Sequence, residues 1–420
     1  MFYRGSDTQK SVVSIQTKYE DAFRLLDGKN GLLYHYAGIE TIWKILETDS
    51  FLARNVRFSN DSQEYKLGES IIKEYIEEKY AEDKTRGVEQ QQKIFKSIQQ
   101  GMQMFYMICF CKKGDLLSQW RGYAKNGVSL GLDFFEEEET QKRKEHTEIF
   151  TMLNNQNNRS DHKYELDHKY VRFVEMPYRV FYVSNDKKDE RSEREKLWKV
   201  MKKFDGEPDT GNDMLLNLIP FIKDAGFKEE AEYRILFSIR DLGNTEAQNR
   251  IIMNKKVEYI MRDNQKLPNI VVEAGDGEKK QKPVEKVILG KQIEIRAKKL
   301  GRKKDEIDLI YQNIQGKLSG RKAVSSCIRC DEKQNIYIGE GNNQEEIMGM
   351  IEDIMEEEGF SIDCEEGIKI WCRGHLPIRE VIIGPGEKQE KIGESLKHFM
   401  RNTYWMRYVD VKYSQIPLQS

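Results

Sequence analysis

Two glutamates and an arginine occupy alternate positions in the segment from Gly226 to Phe237. Read as a strand, this segment points Glu230, Glu232 and Arg234 to one face and its apolar side chains to the other. A guanidinium beside two carboxylates permits two interpretations. One is an ion-pair ladder that neutralises charge, and the other is a carboxylate site that performs acid–base chemistry. The sequence leaves both open.

A second group of residues has the spacing of metal ligands. Two residues separate Cys327 from Cys330, and two separate Cys372 from His375, with Cys364 between the pairs. Such spacing is found in zinc sites. The intervening segment is longer than usual for such a site, and Cys372 lies in an apolar strand pattern. The sequence therefore favours buried free thiols over a structural zinc ion.

Hydrophobic periodicity indicates which elements must position these residues. Short apolar stretches alternate with amphipathic helical patterns along the chain, which predicts an α+β fold. We expect a mixed or antiparallel sheet core with flanking helices, plus an inserted α/β segment. Strands are predicted at 104–111 and 128–134, with a short helix at 116–123 between them.

An internal similarity supports the insertion. Residues 283–290 resemble residues 377–384, and an amphipathic helix is predicted after each. Two copies are too few for a repeat array. We therefore predict four segments: a leader helix at 1–30, a main α+β body at 31–240, an insertion at 241–345 that partly duplicates a strand-turn-helix unit, and a closing strand-helix-strand at 346–420.

The composition narrows the class of protein. Charged residues make up 33% of the chain and hydrophobic ones 38%, while 69 Lys and Arg nearly balance 71 Asp and Glu. Net charge thus gives no argument about nucleic acid. No apolar run approaches the ~20 residues that span a bilayer, and the N-terminus lacks the apolar core of an export signal. Six cysteines without such a signal favour reduced thiols. These features predict a soluble cytoplasmic protein without a membrane partner, and they leave a homo-oligomer open.

Four separated blocks resemble, in the same order, a bacterial family known as domain of unknown function two-nine-seven-one. The resemblance covers roughly residues 31–240 and 377–418, and it implies a place among bacterial defence and mobile-element genes. The blocks are Leu33-Tyr34-His35-Tyr36 with Asn60-Asp61 and Glu64, Cys109-Phe110 with residues 117–123 and 127–133, Phe227 through Arg234, and residues 380–385 with 414–417.

A looser resemblance is to ADP-ribosyltransferases, which carry a His or Arg on an early strand, an aromatic residue, and a late catalytic Glu in a Glu-x-Glu pair. His35, Tyr36 or Tyr123, and Glu230-Ala231-Glu232 stand in this order. The chain departs from the pattern because it has no Ser-Thr-Ser strand. The resemblance implies NAD as a co-substrate and a macromolecular acceptor, either protein or nucleic acid.

Under this resemblance, Glu232 would stabilise positive charge on a ribose whose N-glycosidic bond breaks. Glu230 would orient or deprotonate the acceptor. The other candidates would bind NAD: His35 at the adenosine ribose, Tyr36, Trp120 or Tyr123 at a ring, and Arg121 or Arg234 at the pyrophosphate.

Alternatives remain at each position. His35 in an aromatic strand and Trp120 also fit a buried core, and Glu230 and Glu232 also fit a structural ion pair with Arg234. As a whole, the chain could instead be a non-enzymatic sensor of a nucleotide or nucleic acid in a defence system. It could also be a metal-dependent nuclease that uses Glu230 and Glu232, in which case its activity would require Mg²⁺ or Mn²⁺.

Overall fold

The computed structural model describes part of the chain. The described residues are 31–56, 62–99, 103–134, 150–152, 171–184, 191–203, 215–240, 257–262, 265–274, 285–288, 293–294, 297–298, 300–319, 328–330, 336–338, 344–357, 370–373, 375–403, 406 and 409–417. The predicted leader helix over residues 1–30 lies outside them.

The described residues form α-helices of 7 to 18 residues. They are α1 (Ile39–Thr48), α2 (Ser62–Lys79), α3 (Lys84–Gln99), α4 (Leu117–Tyr123), α5 (Arg191–Lys203), α6 (Lys304–Ser319), α7 (Gln344–Glu357) and α8 (Gln389–Asn402). Within the described helices, no helix has both the length and the apolar character needed to cross a bilayer.

The strands are mostly short. They are β1 (Leu33–Ala37), β2 (Ser50–Asn55), β3 (Gln103–Cys111), β4 (Val128–Leu132), β5 (Phe150–Met152), β6 (Val171–Arg179), β7 (Phe181–Val183), β8 (Ile222–Asp224), β9 (Glu232–Arg240), β10 (Val257–Arg262), β11 (Gln265–Ala274), β12 (Glu285–Ile288), β13 (Ile328–Cys330), β14 (Ile336–Ile338), β15 (Ile370–Arg373), β16 (Ile378–Ile383) and β17 (Asp410–Tyr413). The α+β class, with a mixed open sheet and flanking helices, is confirmed.

The chain divides into two compact units, which do not follow the order of the sequence. The first comprises Met1–His35, Ser50–Lys113 and Met152–Glu273, and the second comprises Tyr36–Asp49, Gly114–Thr151 and Ala274–Ser420. The four segments expected from the sequence stay a prediction.

The first unit is built around two long antiparallel strands. β3 pairs with β9 along its whole length, from Gln103 opposite Arg240 to Cys111 opposite Glu232. β6 extends the sheet beyond β9, while β2, β11 and β10 extend it beyond β3. A smaller parallel pair joins β7 to β8.

Helices α2, α3 and α5 close the core of this unit. The buried apolar side chains of α2 are Ile71, Ile72, Tyr75 and Ile76, at the spacing that places residues on one helix face. They pack in one cluster with residues of α3, α5 and the strands. At the start of α3, the carboxylate of Asp83 caps the helix by accepting from the backbone N–H of Arg86 at 3.1 Å.

The second unit contains a mixed three-strand arrangement. β16 pairs antiparallel with β4 and parallel with β17. Helix α8 packs on this sheet, and Gly393 lets it approach Tyr413, because a Cβ at that glycine would lie 2.5 Å from the tyrosine hydroxyl. Gly384 likewise lies against the ring of Trp120 and the carbonyl of Gly127. These close contacts explain why glycine stands at both positions.

The second unit also contains a four-stranded antiparallel sheet. Its strand order is β13-β14-β12-β15, and helix α6 separates β12 from β13 while α7 separates β14 from β15. This connectivity is that of the split β-α-β motif. Ile336 and Ile338 of β14 pack against the apolar faces of α6 and α7.

Candidate functional site

The Glu230–Arg234 segment is only partly the strand that the sequence predicts. Residues Ala225–Glu230 form a 3₁₀ helix, and β9 begins at Glu232. The Asp224 carboxylate caps this helix by accepting from the Gly226 N–H at 2.8 Å. Ala231 then takes the left-handed conformation with φ 43°. The predicted strand is therefore wrong between Gly226 and Glu230, because local capping outweighs the alternating pattern.

Four buried side chains form a closed ring of ion pairs, called the ion ring here: Glu64, Lys223, Glu232 and Arg234. Lys223 Nζ lies 3.0 Å from Glu64 Oε1 and 3.1 Å from Glu232 Oε2. Arg234 Nη2 lies 2.9 Å from Glu64 Oε2 and 2.8 Å from Glu232 Oε2. Arg234 Nε also donates to Glu232 Oε1 at 2.9 Å. Each carboxylate of the ring thus contacts both cations.

Glu230 is attached to the ring from outside. Its Oε2 accepts from Lys223 Nζ at 2.5 Å, and Lys223 thereby directs its three N–H donors at three carboxylates. The Glu230 side chain is 12% exposed, against 9% for Glu64 and 8% for Glu232. Three carboxylates face two cations, so the group carries one excess negative charge when all are ionised, and Glu230 is its most accessible member.

The acidities of the two glutamates diverge. Burial alone would raise the pKa of Glu232, but Arg234 and Lys223 outweigh it and lower that pKa to about 2. Burial raises the pKa of Glu230; Lys223 opposes this, while the charges of Glu232 and Glu64 add to it. Glu232 is therefore held as a carboxylate, whereas Glu230 binds a proton more readily than an ordinary glutamate.

The two cations are held charged by the same contacts. Burial would lower the pKa of Lys223, but the carboxylates of Glu232 and Glu64 raise it above its ordinary value. The pKa of Arg234 is raised in the same way, mainly by Glu232 and Glu64 against the effect of burial. Arg234 also donates from Nη1 to the carbonyl of Pro220 at 2.5 Å. Both side chains are almost fully enclosed.

Two thiols and a tyrosine hydroxyl lie near Glu230 and Glu232 and carry no charge near neutral pH. The backbone N–H of Glu232 donates to the Tyr182 hydroxyl at 2.7 Å, and burial raises the pKa of that tyrosine. Burial and the nearby Glu232 charge raise the pKa of Cys109, and burial raises that of Cys111 to about 11. Both thiols therefore stay protonated near neutral pH and are poor nucleophiles.

Lys223 is the site residue that sequence reasoning missed, and the role of Glu64 was not foreseen. Lys223 follows the largely apolar segment at 215–222, so a lysine at the end of a segment with a buried pattern is the available signal. In the sequence, Glu64 stands out only as part of a family block. Its contact with Arg234 spans 170 residues of sequence, which no local pattern reveals.

His35 lies in the first unit, in an aromatic setting. Its Nδ1 lies 2.9 Å from the carbonyl of Cys109, and since a carbonyl only accepts, Nδ1 carries the proton. The ring meets Phe51 and Phe110 edge-to-face at centroid distances of 4.9 and 5.9 Å. Burial lowers the pKa of His35 to about 4. It is a neutral imidazole at neutral pH, and its role in binding NAD stays a prediction.

Tyr36 and Trp120 lie in the second unit and contact each other. Their rings meet edge-to-face with centroids 4.7 Å apart. Trp120 Nε1 donates to Asp115 Oδ1 at 2.6 Å, and the Leu116 N–H donates to the Tyr36 hydroxyl at 3.1 Å. Trp120 is only 3% exposed, so its ring serves the core of this unit.

Asp115 also fixes the segment after β17 in what we call the C-terminal clamp, formed by Asp115, Ser414 and Gln415. Asp115 Oδ1 accepts from Ser414 Oγ at 2.6 Å, and Oδ2 accepts from the Gln415 N–H at 2.9 Å. A single carboxylate thereby holds both the tryptophan of α4 and the segment after β17. The hydrogen bond of Trp120 is thus made to a carboxylate that has a structural role.

Arg121 and Tyr123 are exposed on α4, also in the second unit. Tyr123 is 45% exposed. The structure therefore brings Glu230, Glu232 and Arg234 together in the first unit, and Tyr36 and Trp120 together in the second. The proposed NAD contacts of Arg121, Tyr123 and Arg234 stay predictions.

The zinc candidates fall at separate places. Cys330 is in β13 and Cys372 in β15, the two edges of the four-stranded sheet. Three strand spacings put these edges about 14 Å apart, too far to share one tetrahedral ion. His375 Nδ1 instead lies 2.7 Å from Asp49 Oδ2. Cys327 and Cys364 lie outside the described residues.

The described residues contain no group of three or more His, Cys, Asp or Glu side chains arranged to hold a metal ion. At the ion ring, the point where three carboxylates converge is occupied by the ammonium of Lys223. A divalent cation bound by Glu64, Glu230 and Glu232 together would therefore have to displace this lysine.

Residues 119–235 match the sequence family described as protein of unknown function (DUF2971). The match supports the first resemblance drawn from the sequence. It includes Trp120, Lys223, Glu230, Glu232 and Arg234, and excludes His35 and Glu64. No curated protein and no solved structure matches the chain.

Proposed function

We propose that the protein is an ADP-ribosyltransferase-like enzyme that uses NAD to modify a macromolecule. Glu232 is its fixed negative charge and Glu230 its proton-transfer group. The observation that supports this most is the opposite displacement of the two pKa values around one shared lysine. A pair of titratable groups whose acidities are pushed apart by their surroundings is characteristic of acid–base sites.

The residues suit a sugar that develops positive charge. Cleavage of a glycosidic bond passes through an oxocarbenium-like transition state, and preorganised negative charge in an enclosed site stabilises it. The cluster has one more carboxylate than cation, and the excess lies at Glu230, its most exposed member. Both oxygens of Glu232 are engaged by Arg234 and Lys223, so Glu232 contributes charge and no proton.

The proton released in the reaction gives Glu230 its role. NAD supplies the ADP-ribosyl group, and the electron pair of the broken N-glycosidic bond leaves on nicotinamide. The acceptor nucleophile forms the new bond to the ribose and releases a proton, which Glu230 takes. A raised pKa makes Glu230 a stronger base than an ordinary glutamate. An ADP-ribosyltransferase-like core, a macromolecular acceptor and a role as toxin or antiviral defence effector belong to the same proposal and rest on the sequence resemblances.

Labelled NAD and cell extract test the proposal with the purified full chain. The parent protein should release nicotinamide and transfer label to a macromolecule. Glu230→Gln should lower both rates by roughly 10²- to 10⁴-fold, the usual contribution of a positioned acid or base. Glu229→Gln, an exposed neighbour on the same 3₁₀ helix, is the matched control. Equal rates for parent and folded Glu230→Gln would refute the role of Glu230.

A second candidate function is nucleotide binding without catalysis. It is favoured by the closure of the ion ring, since Glu232 has both oxygens engaged within the protein. A sensor of this kind should bind a nucleotide and return it unchanged. Incubation with NAD followed by chromatography of the released ligand separates the two functions, because only the enzyme yields free nicotinamide.

A further inference from the structure

Glu64 enters the site from a different element than the other carboxylates. It stands in the first turn of α2, where the helix dipole favours a negative charge. Its two oxygens divide between the two cations, with Oε1 3.0 Å from Lys223 Nζ and Oε2 2.9 Å from Arg234 Nη2. The residue is buried at 8% exposure. A buried carboxylate in this position changes the charge balance of everything it faces.

The charge balance depends on which carboxylates reach both cations. Glu64 and Glu232 each contact Lys223 and Arg234, so these four side chains balance each other as a neutral ring. Glu230 contacts Lys223, whose charge is already balanced within the ring by Glu64 and Glu232. Without Glu64, two cations would face two carboxylates, and Glu230 would become the partner that neutralises Lys223.

We propose that Glu64 is a positioning residue of the candidate site: it neutralises the two cations jointly with Glu232 and so leaves Glu230 free to exchange a proton. Glu64 acts through Lys223 and touches no reacting atom. Its effect on the protonation of Glu230 is a property of the fold, and its effect on catalysis rests on the proposed function.

Among the titratable groups that face Glu230, Glu64 is the most informative one to mutate. The Cys111 thiol and the Tyr182 phenol have raised pKa values and stay neutral near neutral pH. Changing Lys223 would remove the hydrogen-bond donor of Glu230 itself, and changing Glu232 would remove the other member of the pair. The facing groups are Glu64 from α2, Cys111 from β3, Tyr182 from β7, Lys223 from β8 and Glu232 from β9.

Glu64→Gln tests the inference, because the amide keeps the size of the side chain and removes its charge. Protein labelled with ¹³C-glutamate is titrated by NMR, and the Glu230 signal is identified by its loss in Glu230→Gln. The pKa of Glu230 should fall by on the order of one unit, the effect of removing a nearby like charge. Glu89→Gln, an exposed glutamate on α3, should leave it unchanged. An unchanged or raised pKa in folded Glu64→Gln overturns the inference.

Two further measurements keep the inference separate from the proposed function. If the parent releases nicotinamide, the acidic limb of its pH–rate profile should move to lower pH in Glu64→Gln by the same amount as the NMR pKa. If the NMR pKa falls but no variant releases nicotinamide, the positioning role stands and the proposed function fails. Should Glu64→Gln not fold, Glu64→Met replaces it. Methionine also removes the charge and keeps a long side chain, so a Glu230 pKa equal to that of the parent overturns the inference.

Discussion

The stability of the first unit should depend strongly on Arg234. Arg234→Met keeps a long side chain but removes three contacts of 2.8 to 2.9 Å with the carboxylates of Glu64 and Glu232. The side chain is 2% exposed, so water cannot replace these contacts. Removing one partner of a buried ion pair costs roughly 3–5 kcal/mol. We expect a loss near the lower end of this range, because Lys223 still neutralises part of the remaining charge.

A second variant separates the effect of leaving a buried carboxylate unpaired from the effect of losing the contacts of Arg234. Glu232→Gln combined with Arg234→Met removes a carboxylate along with its cation, so the double variant should be more stable than the sum of the two single losses predicts. Lys196→Met is the control within the same unit, because the Lys196 side chain is 40% exposed and pairs with Glu193 one turn earlier on α5 at 2.9 Å. It should be indistinguishable from the parent.

The assay must report on the first unit alone, because a chain with two compact units has no single free energy of unfolding. Amide hydrogen exchange along β9, which starts at Glu232, gives the local opening free energy, and urea unfolding gives the global transition. A loss below about 1 kcal/mol in Arg234→Met, the size seen for surface pairs, would refute the account of the ion ring. So would additive losses in the double variant.

Three other predictions concern single residues. The pKa of His35 lies at about 4 in the fold against 6.5 for a free histidine; the unfolded chain therefore binds the proton first, and about 3 kcal/mol of unfolding free energy should be lost as the pH falls from 6.5 through 4. His35→Phe should flatten this dependence in pH-dependent urea unfolding, and an unchanged slope would contradict it. Gly127→Ala drives a methyl group into the carbonyl of Ala37 and should cost at least about 1–3 kcal/mol, whereas Gly122→Ala meets nothing within 4 Å and should be tolerated in thermal unfolding. Asp115→Ala should open the C-terminal clamp, seen as faster amide exchange there; unchanged exchange would show that the carboxylate does not hold it.

Much of the fold was predictable because its signals are local. The apolar stretch predicted as a strand at 104–111 is β3, Gln103–Cys111, and the strand predicted from Val128 is β4. The short helix at 116–123 is α4. These segments have clear hydrophobic patterns in the sequence. The 3₁₀ helix before Glu232 was missed, because its cap from Asp224 competes with an equally clear alternating pattern.

The candidate site was predictable only in part. Alternation places Glu232 and Arg234 on one face, and the two side chains do contact each other. Lys223 and Glu64 could not be foreseen, since their contacts depend on how β8 and α2 pack against β9. Charge balance is a property of the whole group. The divergent acidities of Glu230 and Glu232 therefore emerge only when all five side chains are in place.

The measurement that tests the central claim most directly is the rate of nicotinamide release from NAD, compared across pH for the parent and for Glu230→Gln in the presence of cell extract. Release by the parent should rise as Glu230 loses its proton, and it should be roughly 10²- to 10⁴-fold slower in the folded variant. Equal release by the two proteins at every pH would contradict it.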